Sequence, residues 1–207
     1  MSHGAGRTRW KRFAAILVLG VASSATVAVA MAEGVLAASF FISGQKFQVA
    51  ADKMVTRGVS IYGMVDVTSQ RELVPVVVTG ARHAKITGLC QSVLIDVPVL
   101  GPQTLRVTGG NVRPAQASNL FLDATSQTAD EVDFTGLDIG IATGEITKGL
   151  INPGDRHSRF FDPNGVGQQA DSSTLINVHW TAVAVTAGTF SVPGLRTQVE
   201  QGRHECF

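Results

Sequence analysis

Ile176-Asn177-Val178-His179-Trp180-Thr181 alternates apolar and polar side chains at every step. Successive side chains on a strand point to opposite faces, so a strict alternation marks a strand with one buried and one wetted face. The same period extends outward from this stretch. Phe47, Val49 and Ala51 alternate with Lys46, Gln48 and Asp52, and Val132 and Phe134 alternate with Asp133 and Thr135. Gly136 then resets the phase to Leu137, Ile139 and Ile141, as a bulge would. Val74, Val76, Val77 and Val78 form a β-branched run broken by Pro75, which predicts an edge or a strand start. The 22 Gly, with many Thr, Ser and Val, fit short strands joined by turns. No stretch past residue 43 keeps a convincing helical period, although residues 115–125 admit a helical turn or two. The spacing predicts an all-β domain whose core holds residues such as Phe47, Val49, Val132, Phe134, Ile176 and Trp180.

A faint internal period overlies the strand pattern. Ala51, Ala84 and Ala117 recur at equal intervals, and each opens a polar-then-apolar stretch. A fourth start, Ala170-Asp171, comes later than that interval allows, and the excess matches a polar insert at residues 148–167. Such spacing suggests layered β structure: a jelly roll, a folded-over β-taco or a solenoid-like stack. Coincidence in an Ala-rich chain is the alternative.

Toward the amino terminus the pattern changes. Arg7, Arg9, Lys11 and Arg12 precede residues 13–32, a run without a single charge. As a helix this run covers the roughly 30 Å of a bilayer's hydrocarbon core. Basic residues ahead of an apolar run keep the amino terminus inside and send the remainder outside. Trp10 at the inner end, with Phe40 and Phe41 past the outer end, suits the two interfaces. Ala28-Val29-Ala30 and Ala30-Met31-Ala32 offer small-x-small cleavage patterns, so both a retained anchor and a cleaved signal peptide stay open. The expected organisation is therefore an N-terminal apolar helix in residues 1–38, as signal peptide or transmembrane anchor. A single all-β extracytoplasmic domain follows in residues 39–207, tethered to the membrane or secreted.

The charge balance narrows the partners. The whole chain has 17 Lys+Arg against 16 Asp+Glu. Setting aside the four leader cations and Glu33 leaves 13 against 15, a net charge of −2. No basic stripe interleaved with aromatics remains, so nucleic acid is not an expected partner. The membrane, through the N-terminal helix, and a lipid or membrane-protein partner are. Two cysteines, Cys90 and Cys206, lie past the leader; an even count outside the cytoplasm predicts one disulfide from the tail to the middle of the domain.

Motifs for chemistry are sparse. The insert at residues 148–167 is the one long, turn-rich, charged loop, with Asp155, Arg156, His157, Arg159, Asp162 and Asn164. Asp162 to Gly165 lacks the alternating carboxylates of a calcium loop. The insert is expected to be an ordered surface loop or a contact between subunits. Glu131 and Asp133 share the face opposite Val132 and Phe134, as solvated residues should. His83, His179 and His204 are scattered. Gly58-Val59-Ser60-Ile61-Tyr62 lacks the second Gly of a nucleophile elbow. No catalytic, cofactor-binding or metal residue is assigned.

Six stretches carry a resemblance. They are Gly34-Val35-Leu36-Ala37-Ala38-Ser39-Phe40, Phe47-Gln48-Val49-Ala50-Ala51-Asp52-Lys53, Leu89-Cys90-Gln91-Ser92-Val93, Gly167-Gln168-Gln169-Ala170-Asp171, Thr186-Ala187-Gly188-Thr189-Phe190 and Glu205-Cys206-Phe207. In them the chain resembles an uncharacterised family of actinobacterial, Streptomyces-type, exported membrane or envelope proteins. The resemblance implies an envelope protein of unassigned role; the label "cholesterol esterase", carried by some members, implies a hydrolase. Three functions are thus expected in competition. They are a non-enzymatic envelope protein that binds an apolar ligand or membrane-protein partner, a lipid or sterol ester hydrolase, and a self-assembling surface protein.

Overall fold

The computed structural model describes residues 43–207. The expected leader helix and its boundary with the domain lie outside the described residues. The described chain is nearly all strand: β1 (Phe47–Val67), β2 (Leu73–Thr87), β3 (Leu89–Val97), β4 (Gly101–Gly109), β5 (Ala115–Thr128), β6 (Glu131–Thr135), β7 (Asp138–Ala142), β8 (Val166–Thr186), β9 (Thr189–Ser191) and β10 (Arg196–Gln201). A 3₁₀ turn at Thr143–Glu145 and one helical turn, α1 (Pro153–Arg156), interrupt them. Among the described residues no helix is long and apolar enough to cross a membrane.

All ten strands join one antiparallel sheet, and the sheet closes on itself. β1 pairs with β2, β2 with β5, β5 with β8, and β8 returns to β1. β3, β4 and β10 extend one flank from the start of β1, while β6, β7 and β9 fill the free edges of β8 and β5. A closed ladder leaves few unpaired backbone groups and shields the inner face from water.

Two cores lie on the two faces of these strands. The larger holds Val49, Ala51, Met54, Ala84, Leu120, Leu122, Leu175, Val178 and Trp180. The second holds Tyr62, Met64, Val76, Val78, Phe121 and Val183, and it is covered by Ile146, Leu150, Ile151, Phe160 and Phe161 from the insert. β5 therefore buries both faces from Leu120 to Ala124. That removes its alternation and explains why residues 115–125 admitted a helical reading; they are strand throughout.

Local backbone devices shift the predicted phases. Asn177 has φ +47° and falls in a gap of the ladder between Lys53↔Ile176 and Ala51↔Val178. The inward set of β8 is consequently Leu175, Val178, Trp180 and Ala182, and Ile176 is only half-buried. Gly136, at φ +62°, ends one short strand, and Asp138 opens the next on the same partner. Val132 and Ile139 are exposed there and Phe134 is half-buried, so this segment does not furnish the expected core; Phe47 also packs at the margin. Pro75 sits near the start of β2, before the pairing with β5 begins at Val77, as a missing N–H requires. The equally spaced alanines do not mark equivalent layers: Ala51 pairs with Val178 of β8, not with Ala84. Ala84 and Ala117 face each other across antiparallel β2 and β5, which is not the relation of stacked solenoid repeats.

Candidate functional site

The insert is anchored at three levels, by Arg82 of β2 and by Ser60 and Tyr62 of β1. Arg82 bonds through Nε to the Lys148 carbonyl at 2.9 Å and through Nη2 to the Thr147 and Gly149 carbonyls, both at 3.1 Å. Its stem crosses Gly58, where a Cβ would stand 2.6 Å from Arg82 Cδ and where φ is +66°. Ser60, fully buried, donates to the Leu150 carbonyl at 2.5 Å. Gly149 rests directly on this strand, since a Cβ there would meet Ser60 Cβ at 2.5 Å. Tyr62 then donates its hydroxyl to Asp155 Oδ2 at 2.7 Å and accepts the Asn152 N–H at 3.0 Å. The alternation of β1 sends Ser60 and Tyr62 toward the insert, and α1, capped by Asn152, presents Asp155 to Tyr62.

Beyond Tyr62 the same region collects three carboxyl groups. Asp66 lies one residue before the end of β1, Asp123 in β5 and Asp155 in α1. Asp123 is 6% exposed and Asp155 8%. Asp123 Oδ1 and Asp66 Oδ2 are buried with no hydrogen-bond partner among the described residues. Burial raises all three affinities for a proton. It pushes Asp123 up to about 8, helped by the charges of Asp66 and Asp155, and Asp66 up to about 6, helped by Asp155. Asp155 is raised by burial and partly relieved by the Tyr62 hydroxyl. Burial, with Asp155 alongside, drives the Tyr62 phenol far above its ordinary range. Among the described residues no basic side chain pairs with any of the three. Asp123 is therefore the member that keeps its proton at neutral pH, and charge enters an apolar wall as pH rises. No three His, Cys, Asp or Glu of the described residues are placed to hold a metal ion.

A second, exposed network ties the other end of the insert. Lys148 Nζ pairs with Asp138 at 3.0 Å and donates to the Gly136 carbonyl at 2.5 Å. Gln169 accepts the Thr147 and Lys148 N–H groups and donates to Asp138. Hydrogen bonds from Lys148 and Gln169 hold the Asp138 carboxyl below its ordinary range. The expected surface loop is in part core, because Ile151 and Asp155 are buried, as is Ile146 just before it.

The other candidates are dispersed. Cys90 and Cys206 are joined as a disulfide, with Cα atoms 5.9 Å apart. The bridged tail is a strap across four strands: His204 N–H donates to Thr104 on β4, Cys206 N–H to Ser92 on β3 and Phe207 N–H to Gln48 on β1. The Phe207 ring stacks on His179 of β8 at 4.4 Å. Glu131 and Asp133 are exposed, and Asp130 accepts from Asn177 at 2.8 Å. His83 and His157 are exposed, and no described serine hydroxyl bonds to a histidine ring. The acid group escaped the sequence reading because Asp66, Asp123 and Asp155 are distant in the chain; a carboxylate between Leu122 and Ala124 was the available signal.

Residues 43–207 match the model of a family of unknown function, DUF6230. The chain belongs to that family. The family's span starts at Ser43 and takes in every element described above. No curated protein and no solved structure matches the chain.

Proposed function

We propose that this protein is a non-enzymatic component of the cell envelope, exported by its leader and held at the membrane or released, which acts by binding a lipid or membrane-protein partner. The observation that supports this best is the disulfide strap. A bridge over a sequence separation of 116 residues, closing the tail onto β3, fits an oxidising compartment, where such a bond forms and persists. The leader, four cations followed by the uncharged run 13–32, supports the same location.

The polar side chains that offered chemistry are engaged in holding the fold: Ser60, Tyr62 and Asp155 fasten the insert, and His179 carries Phe207. The inner face of the closed ladder is filled by its own side chains, so binding falls to the outer surface and strand ends rather than to an interior groove. The domain division at residues 38 and 39 belongs to the same proposal.

Protease added to intact protoplasts tests the location. Degradation of the domain, with peptides containing Cys90 and Cys206 joined until reduction, is the expected result. Full protection and two titratable thiols would overturn it. Ester hydrolysis is the competing reading. Turnover of short-chain or sterol esters by the purified protein, abolished by a single Ser→Ala or Asp→Ala change, would replace binding with catalysis.

A further inference from the structure

β3 and β4 meet in a tip that is apolar and open to solvent. From Gln91 to Leu105 the chain carries one charge, Asp96. Ile95 and Leu100 are exposed, and Val99 is fully exposed. Val99 also has φ +75°, with Pro98 before it, and the Leu100 N–H donates to the Val97 carbonyl at 3.2 Å. Those are the marks of a type II turn, whose third position ordinarily takes Gly because positive φ crowds a Cβ, a β-branched one most of all. The turn would close more easily on glycine; instead it holds an isopropyl group in solvent at a cost in backbone strain.

The described chain begins beside this tip. Gln45 Nε2 donates to the Leu94 carbonyl at 2.6 Å, and Gln48 pairs with Ser92 as β1 runs away from it. In the sequence, residues 33–42 alone separate Ser43 from the apolar run that ends at Ala32. A segment of that length reaches at most about 35 Å when fully extended. A membrane holding the apolar run would thus lie within reach of the end of the domain that carries the exposed Val99 and Leu100.

We infer that the β3–β4 tip is a membrane-docking element, with Ile95, Val99 and Leu100 entering the headgroup layer of the bilayer that holds the leader. The inference rests on the membrane-anchored reading above. With Asp96 the single charge between Gln91 and Leu105, docking draws on apolar burial rather than on anionic lipid, so it tolerates zwitterionic lipid and raised salt. Ile139 provides an internal control. It is also an exposed apolar residue, but it pairs with Gln168, which pairs with Ile61, at the opposite end of β1.

The test uses the full chain in phosphatidylcholine vesicles with and without brominated acyl chains, and reads the emission added by Val99→Trp, Leu100→Trp or Ile139→Trp. Bromolipid should quench the first two and spare Ile139→Trp, and raised salt should leave the loss unchanged. An alkaline carbonate wash reports anchoring separately. A chain that survives the wash with unquenched tip tryptophans overturns docking and leaves the anchor standing. A chain stripped by the wash but quenched beforehand supports docking and removes the anchor. Equal quenching at Ile139→Trp, or tip emission that responds to protein density and not to bromine, overturns docking in favour of unspecific adsorption or a second copy of the chain.

Discussion

Asp123 sits between Leu122 and Ala124 in a strand buried on both faces, and its carboxyl has no partner for Oδ1 among the described residues. The fold accepts it as the neutral acid. Its folded affinity for a proton, pushed up to about 8, lies above the value of about 4 in an unfolded chain. Between those limits the native state binds more protons than the unfolded state, so its contribution to stability is fully present below about pH 4. It declines as pH rises and is lost through about pH 8; Asp66, raised to about 6, acts in the same direction. Asp123→Asn should therefore flatten the stability profile. It should be near neutral at about pH 4–5 and stabilising by about 1–3 kcal/mol at about pH 8. Denaturant midpoints across that range check it, and a variant that tracks the parent at every pH would remove the proton from the account. Val99 makes an opposite case, since its positive φ serves no buried contact. Val99→Gly should raise the unfolding midpoint by the equivalent of about 1 kcal/mol, because glycine takes this conformation without strain. No change would mean that the turn relaxes around valine.

At the scale of elements, the insert is a separable layer clamped onto the strands beneath it. Arg82 spans three successive carbonyls of residues 147–149, Ser60 takes the next and Tyr62 reaches Asn152 and Asp155. These contacts place Ile151, Leu150 and Phe161 over Met64, Val76 and Val78. Truncating Arg82→Ala should cost about 1–2 kcal/mol, since a cation bonded to carbonyls is worth more than a neutral donor but this one is partly wetted. Hydrogen exchange should quicken selectively across residues 147–161, with the β1–β2 ladder unaffected. Uniform acceleration through both would mean that the insert is not a separable clamp. Gly58 belongs to the same device: a side chain there meets Arg82 Cδ and needs a positive φ, so Gly58→Ala should loosen the same residues.

For the whole molecule, the strap and the ring act together. The tail crosses β4, β3, β1 and β8 and is pinned at Cys90, which ties the flanking strands to the closed ladder. Replacing either Cys90 or Cys206 by Ser should lower stability by about 2–5 kcal/mol and free a single thiol, as calorimetry and thiol titration would read. A drop below about 1 kcal/mol would show that the hydrogen bonds of the tail suffice alone. Much of this architecture was legible beforehand. Strand alternation in Phe47–Ala51 and Val178–Trp180 identified a β domain, Pro75 marked a strand start, and two cysteines past an apolar leader implied a bridge. These features are local or follow from counting, and backbone geometry alone makes them readable. The return of β8 to β1, the phase shift at Asn177, the double burial of β5 and the meeting of Asp66, Asp123 and Asp155 depend on contacts between residues far apart in sequence. Periodicity says which face of a strand is apolar; only the closed ladder and the insert lying on it decided what each face would meet, and therefore which carboxyls would lose their water.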